Sequence, residues 1–140
     1  MRYAAILFVL VGCRSVPTST MMGATSPRGA AEQMLAAASA QDLQAVSAIW
    51  GSETGLARDH LDRTEVESRT FIMACVLKSE SRKFSEPSPA GNGRVLVPVE
   101  LTQGKNTGTT RFETARTKDG RWLVANVDLQ SLQNRGFCVR

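Results

Sequence analysis

Histidine and tyrosine occur once each among the 140 residues, cysteine three times, and no apolar run is long enough to cross a bilayer. Each scarcity removes a class of protein. The lone His60 and the widely separated cysteines lack the ligand spacing of a metal centre, and no metal or cofactor is expected. The one tyrosine, Tyr3, falls in the apolar start of the chain and would leave with it if that start is cleaved. Gly91-Asn92-Gly93 has no strand-to-helix setting and is not a phosphate loop, and no nucleophile elbow is present. The net charge of +4 is small. Its cations, Arg58, Arg63, Arg69, Lys78, Arg82, Lys83 and Arg94 among them, are interleaved with acids, so a solvated surface is expected and nucleic acid is not an expected partner.

What is present begins at the amino end. Residues 4–12 are apolar, Arg2 precedes them and the small Gly12 closes them, which is the layout of an export signal. Leu10-Val11-Gly12-Cys13 resembles the bacterial lipobox. The resemblance implies cleavage after residues 1–12, lipid on the Cys13 sulfur and often on the new amine, and attachment to a membrane of the cell envelope. Each buried acyl methylene contributes about 0.8 kcal/mol, so two or three chains hold a small domain far longer than one. Arg14 is not the aspartate that commonly retains lipoproteins at the inner membrane of enteric bacteria, which favours the periplasmic side of the outer membrane in a cell with two. Residues 13–26 are rich in Ser, Thr, Pro and Gly, have little surface to bury, and read as a flexible tether carrying the lipidated cysteine. An ordinary cleaved leader, or an uncut anchor, is the alternative.

Residues 27–140 suffice for one domain with one core and are too few for two. Ser26-Pro27 predicts a capped helix start, with Ala30, Ala31, Met34, Leu35 and Ala38 as its apolar stripe. Asp42 predicts the cap of a second helix carrying Leu43, Val46, Ile49 and Trp50 and stopped by Gly51. Residues 51–63 are turn-rich, with Leu56 and Leu61 as pins into a core. Thr64-Glu65-Val66-Glu67 has the spacing of a capping box and predicts a third helix with Ile72, Cys75 and Val76, together with Phe71 and Leu77, as inner positions. From Lys83 the apolar period becomes two. A short strand near Phe84 and a long turn over residues 87–93 lead to a strand whose Val95, Val97, Val99 and Leu101 face inward, with Pro98 placed at an edge or a bulge. A strand over residues 109–117 and a last one over 122–129 flank a tight turn containing Asp119-Gly120. In the last strand Leu123, Ala125, Val127 and Leu129 share one face and Trp122, Val124, Asn126 and Asp128 the other. Helices followed by consecutive strands predict an α+β domain with the helices packed on a curled antiparallel sheet. Cys75 and Cys138 have only each other to pair with in an oxidising compartment, closing a loop of about 60 residues.

The opening helix with Ala40-Gln41-Asp42-Leu43, and the closing Thr117-Lys118-Asp119-Gly120-Arg121-Trp122-Leu123-Val124, resemble the nuclear-transport-factor-2-like superfamily of α+β cones. That resemblance implies a sheet wrapped round a helix, often with a pocket between them, and a range of roles from isomerase and dehydratase to domains with no chemistry. The candidate pocket residues are Trp50, Trp122, Asn126 and Asp128, each of which has an ordinary structural reading as core or solvated face. The preferred reading is a non-catalytic, membrane-anchored domain that binds a small apolar ligand or an envelope protein. The alternative is a pocket enzyme of isomerase or hydrolase type using His60 and Asp128, set against a solvated loop histidine.

Overall fold

The computed structural model describes residues 22–139, so the export signal, Cys13 and the first part of the tether lie outside the described residues. The chain forms α1 (Pro27–Ser39), α2 (Leu43–Ser47), a small hairpin of β1 (Gly51–Ser52) and β2 (Gly55–Leu56), and α3 (Arg63–Leu77). Strands β3 (Ser81–Phe84), β4 (Ser88–Gly91), β5 (Arg94–Gln103), β6 (Asn106–Arg116) and β7 (Trp122–Val127) follow, and α4 (Leu129–Gln133) closes the order. The second sheet is antiparallel and open, in the order β3-β5-β6-β7, with β4 also paired to β5. The class is α+β.

α1 begins as its sequence predicts: the Ser26 hydroxyl accepts from the Gly29 N–H, and Pro27 opens the helix where no amide partner is needed. Its Ala30, Ala31, Met34, Leu35 and Ala38 are fully buried, and the small alanines allow the helix to lie close to Val97, Val99, Leu101 and Phe112 in the same core. Gln41 takes a positive φ of 54° between α1 and α2 and donates its side-chain amide to Ala38 O and to Ala74 O of α3, tying three helices at one turn.

Several local expectations are corrected. α2 ends at Ser47, because the edge of β7 competes for the residues that follow: the Val124 N–H donates to Ile49 O, and Trp50 makes a parallel bridge to Val124. Gly51 is therefore not a helix stop. It sits where a Cβ would lie 2.3 Å from Gly55 O, so the hairpin closes only over a bare Cα. α3 is capped by Asp62, whose carboxylate accepts from the Thr64 N–H, two residues earlier than the capping box at Thr64 proposed. Its buried face is Val66, Thr70, Met73, Ala74, Val76 and Leu77, whereas Phe71 and Ile72 are 54% and 46% exposed.

The turn over residues 87–93 contains β4, which pairs with the first half of β5 while β3 pairs with its second half. Pro98 stands between these two pairings. Its carbonyl accepts from Ser85 N–H, and the donor it lacks faces the gap where the chain leaves β3, so an internal position tolerates it. β6 starts at Asn106, earlier than expected. A register shift between Glu113 and Thr114 of β6 matches Asn126 and Val124 of β7, leaving Ala125 as the extra residue of a bulge. The bulge breaks strict alternation, and Leu123 and Val124 are both buried. β7 stops at Val127; Asp128 and Leu129 belong to the start of α4, where the sequence predicted strand.

Residues 22–26 take part in the fold, so the tether read over 13–26 does not extend through them. Ala24 is buried and exchanges two backbone hydrogen bonds with Trp122, and the Arg121 guanidinium donates to Gly23 O at 2.6 Å. At the other end, Cys138 stands at disulfide distance from Cys75, with Cα atoms 5.3 Å apart across 63 residues of chain. Phe137 is buried beside it, and Gln103 accepts from the Cys138 N–H while donating to the Cys75 and Lys78 carbonyls.

Candidate functional site

The bulge in β7 and the early end of α2 act on one place. Trp50 is held between the two by its backbone: it bridges to Val124, and its carbonyl accepts from the Ala57 N–H. α3 passes the same spot with Arg69, Ile72 and Met73, spaced three and four apart so that they share one helix face. The bulge brings Ala125 and Asn126 to the opposite side, with Val127 and Leu129 beyond. Together these side chains line a half-open cleft of about 220 Å³.

The walls of the cleft are apolar and its rim is polar. The Arg69 guanidinium lies 5.9 Å from the centroid of the Trp50 ring, and one of its nitrogens is 2.5 Å from a Glu65 carboxylate oxygen one turn back along α3. Asn126 is exposed on the facing strand. A small number of polar groups over an apolar floor is the usual composition of a small-molecule site.

Of the candidate pocket residues, Trp50 and Asn126 meet in this cleft, and Trp122 and Asp128 do not line it. Trp122 is partly buried against the core at the far end of β7, where Ala24 covers its backbone. Asp128 is the cap of α4: its carboxylate accepts from both the hydroxyl and the N–H of Ser131. Those bonds, the hydroxyl foremost, hold its pKa below the ordinary value. His60 follows the 3₁₀ turn after β2, is exposed, and places Nε2 3.2 Å from Thr54 O. His60 and Asp128 thus belong to separate local structures, and neither lines the cleft. Among the described residues, no three His, Cys, Asp or Glu side chains gather as a metal site would require, and no helix is long and apolar enough to cross a membrane.

Sequence reasoning missed Arg69, Met73 and Ala125 as cleft residues. Arg69 carries no signal beyond a helix-surface charge, and Ala125 reaches the rim only through the bulge. A second feature it missed is Arg94, whose guanidinium makes a two-pronged pair with Glu53 and a further bond to Glu113. This network fastens the β1-β2 hairpin to the sheet, raises the Arg94 pKa and lowers that of Glu53, the Arg94 hydrogen bond being the leading cause for Glu53.

A larger, shallower groove of about 1130 Å³ runs along the outer side of α3, between Leu43, Leu61, Val66, Phe71 and Ile72, and Arg58 borders it. It shares Ile72 with the cleft but is more open and holds none of the four candidate pocket residues. Compared with family models, with curated proteins and with solved structures, the chain has no significant match.

Proposed function

We propose that this chain is a bacterial envelope lipoprotein, held on a membrane by acyl groups on Cys13, whose folded domain is a non-catalytic binding module. The observation that carries the reading is the placement of the cysteines: Cys75 and Cys138 stand at disulfide distance, which accounts for two of the three, and the third, Cys13, closes an apolar run in the sequence. A paired disulfide also suits an exported protein. The cone of the nuclear-transport-factor-2-like superfamily is the finer fold reading, supported by helices on one face of an antiparallel sheet and by the bulge at Ala125, since bulges bend a strand and increase its twist. The binding reading rests on the cleft at Trp50, apolar inside and polar at its rim. Nothing in the cleft pairs a base with an acid, so binding suits it better than turnover.

The anchor is tested by mass spectrometry of the protein from a bacterial host. The expected result is an amino terminus at acylated Cys13 and one cross-linked peptide containing Cys75 and Cys138, with Cys13→Ser releasing the protein from the membrane fraction. An unmodified, uncleaved start would overturn the anchor, and free thiols at both other cysteines would remove the support for export.

A further inference from the structure

Taking the Trp50 cleft as a ligand site, we infer that its ligand class is a short amphiphile with a carboxylate end: an aliphatic body lies against Trp50, Ile72, Met73 and Val127, and the carboxylate meets Arg69 and Asn126 at the rim. Three observations lead to this. The first is size. The cleft is small, about 220 Å³, and its apolar walls suit the body of a short aliphatic chain.

The second is that the rim offers exposed donors. Arg69, whose side chain is 57% exposed, meets the Glu65 carboxylate through a single nitrogen, and the exposed Asn126 supplies a side-chain amide. These two groups sit on different elements, α3 and β7, on either side of the same opening.

The third is that Arg69 is oriented before any ligand arrives. Glu65 holds it from one side and the Trp50 ring underlies it, so part of the ordering cost of a long side chain is already met. A carboxylate arriving over Trp50 would find a fork of N–H groups suited to two parallel bonds. A neutral head group would gain only the apolar contact and one amide.

The test uses the full chain carrying Cys13→Ser, which removes acyl groups that would compete, made with its disulfide intact and labelled at tryptophan and at the methionine methyls. Hexanoate and 1-hexanol are the probes, followed by shifts of the Trp50 indole and Met73 methyl resonances. Hexanoate is expected to saturate both and to bind about tenfold more tightly than hexanol. Arg69→Gln should bring the two probes to the same affinity, and Ala125→Leu, which fills the cleft from the strand side, should abolish both. Equal affinity of the two probes for the unsubstituted chain would overturn the carboxylate assignment while leaving the cleft as a site. Absence of saturable shifts with either probe would overturn the ligand site itself, and leave the Cys13 anchor to its own test.

Discussion

The two ends of the described chain are fixed to the same domain by different physics. At the amino end, residues 22–26 bury one small side chain, Ala24, and depend on backbone pairing with Trp122 and on the Arg121 bond to Gly23 O. At the carboxyl end, a whole phenyl ring is buried at Phe137, Gln103 grips three backbone groups, and the Cys75–Cys138 pair closes the loop. Gly108 makes room for this: a Cβ there would press on Leu132, Arg135 and Phe137 at 3.1–3.3 Å. Hydrogen bonds exchanged with water contribute about 1 kcal/mol each, whereas a buried aromatic ring contributes several times more. The amino end should therefore peel away well before the carboxyl end does.

Breaking the stronger end gives the largest effect. Replacing both Cys75 and Cys138 by Ser should cost about 4 kcal/mol on the chain-entropy estimate for a 63-residue separation, and Phe137→Ala about 3–5 kcal/mol, read by urea unfolding. If the ring and the bridge secure one structure, the triple variant loses less than the sum, because a released tail no longer seats Phe137. Full additivity would mean the two act independently.

The weaker end should respond less. Arg121→Gln removes a charged donor from Gly23 O and is expected to cost about 1–2 kcal/mol, with hydrogen exchange at Ala24 and Trp122 rising while that of Phe112 is unchanged. Exchange rising equally at Phe112 would show that the amino end unfolds only with the whole domain.

Where β7 gives way to α4, Asp128→Ala should cost about 1 kcal/mol at neutral pH by loss of the cap. The folded-state pKa of Asp128 is depressed, so its contribution is full above the ordinary 3.8 and is lost as pH falls through and below that value. The gap between the parent and Asp128→Ala should accordingly narrow below pH 4; a gap that stays constant into acid would assign the effect to packing. His60→Ala, on an exposed turn, should change stability by no more than about 0.5 kcal/mol and leave probe binding at the cleft unaltered.

Much of this architecture is legible in the residues. The start of α1 is written in Ser26-Pro27, its buried face in the alanine and Met34-Leu35 spacing, and the inner face of β5 in Val97, Val99 and Leu101. The pairing of Cys75 with Cys138 follows from counting once Cys13 is set aside. Less legible were the places where two elements compete for the same atoms. Ile49 and Trp50 continue a helical stripe, yet β7 offers an N–H at Val124 and takes them. Phe71 and Ile72 look like inner positions, but α3 packs through Val66, Thr70, Met73, Ala74 and Leu77, a face that leaves both outside. Gln103 and Phe137 reveal no role until the tail folds back on α3.

By itself the sequence determined the starts of α1 and α2, the switch to a two-residue period, the class of the fold and the partners of the paired cysteines, because caps, periodicity and pairing are properties of neighbours or of counting. Tertiary structure alone decided the bulge at Ala125, the shortened α2, the exposure of Phe71 and the meeting of Trp50, Arg69 and Asn126 around one cleft. Those depend on which distant backbone groups reach one another first, and no local pattern encodes that choice.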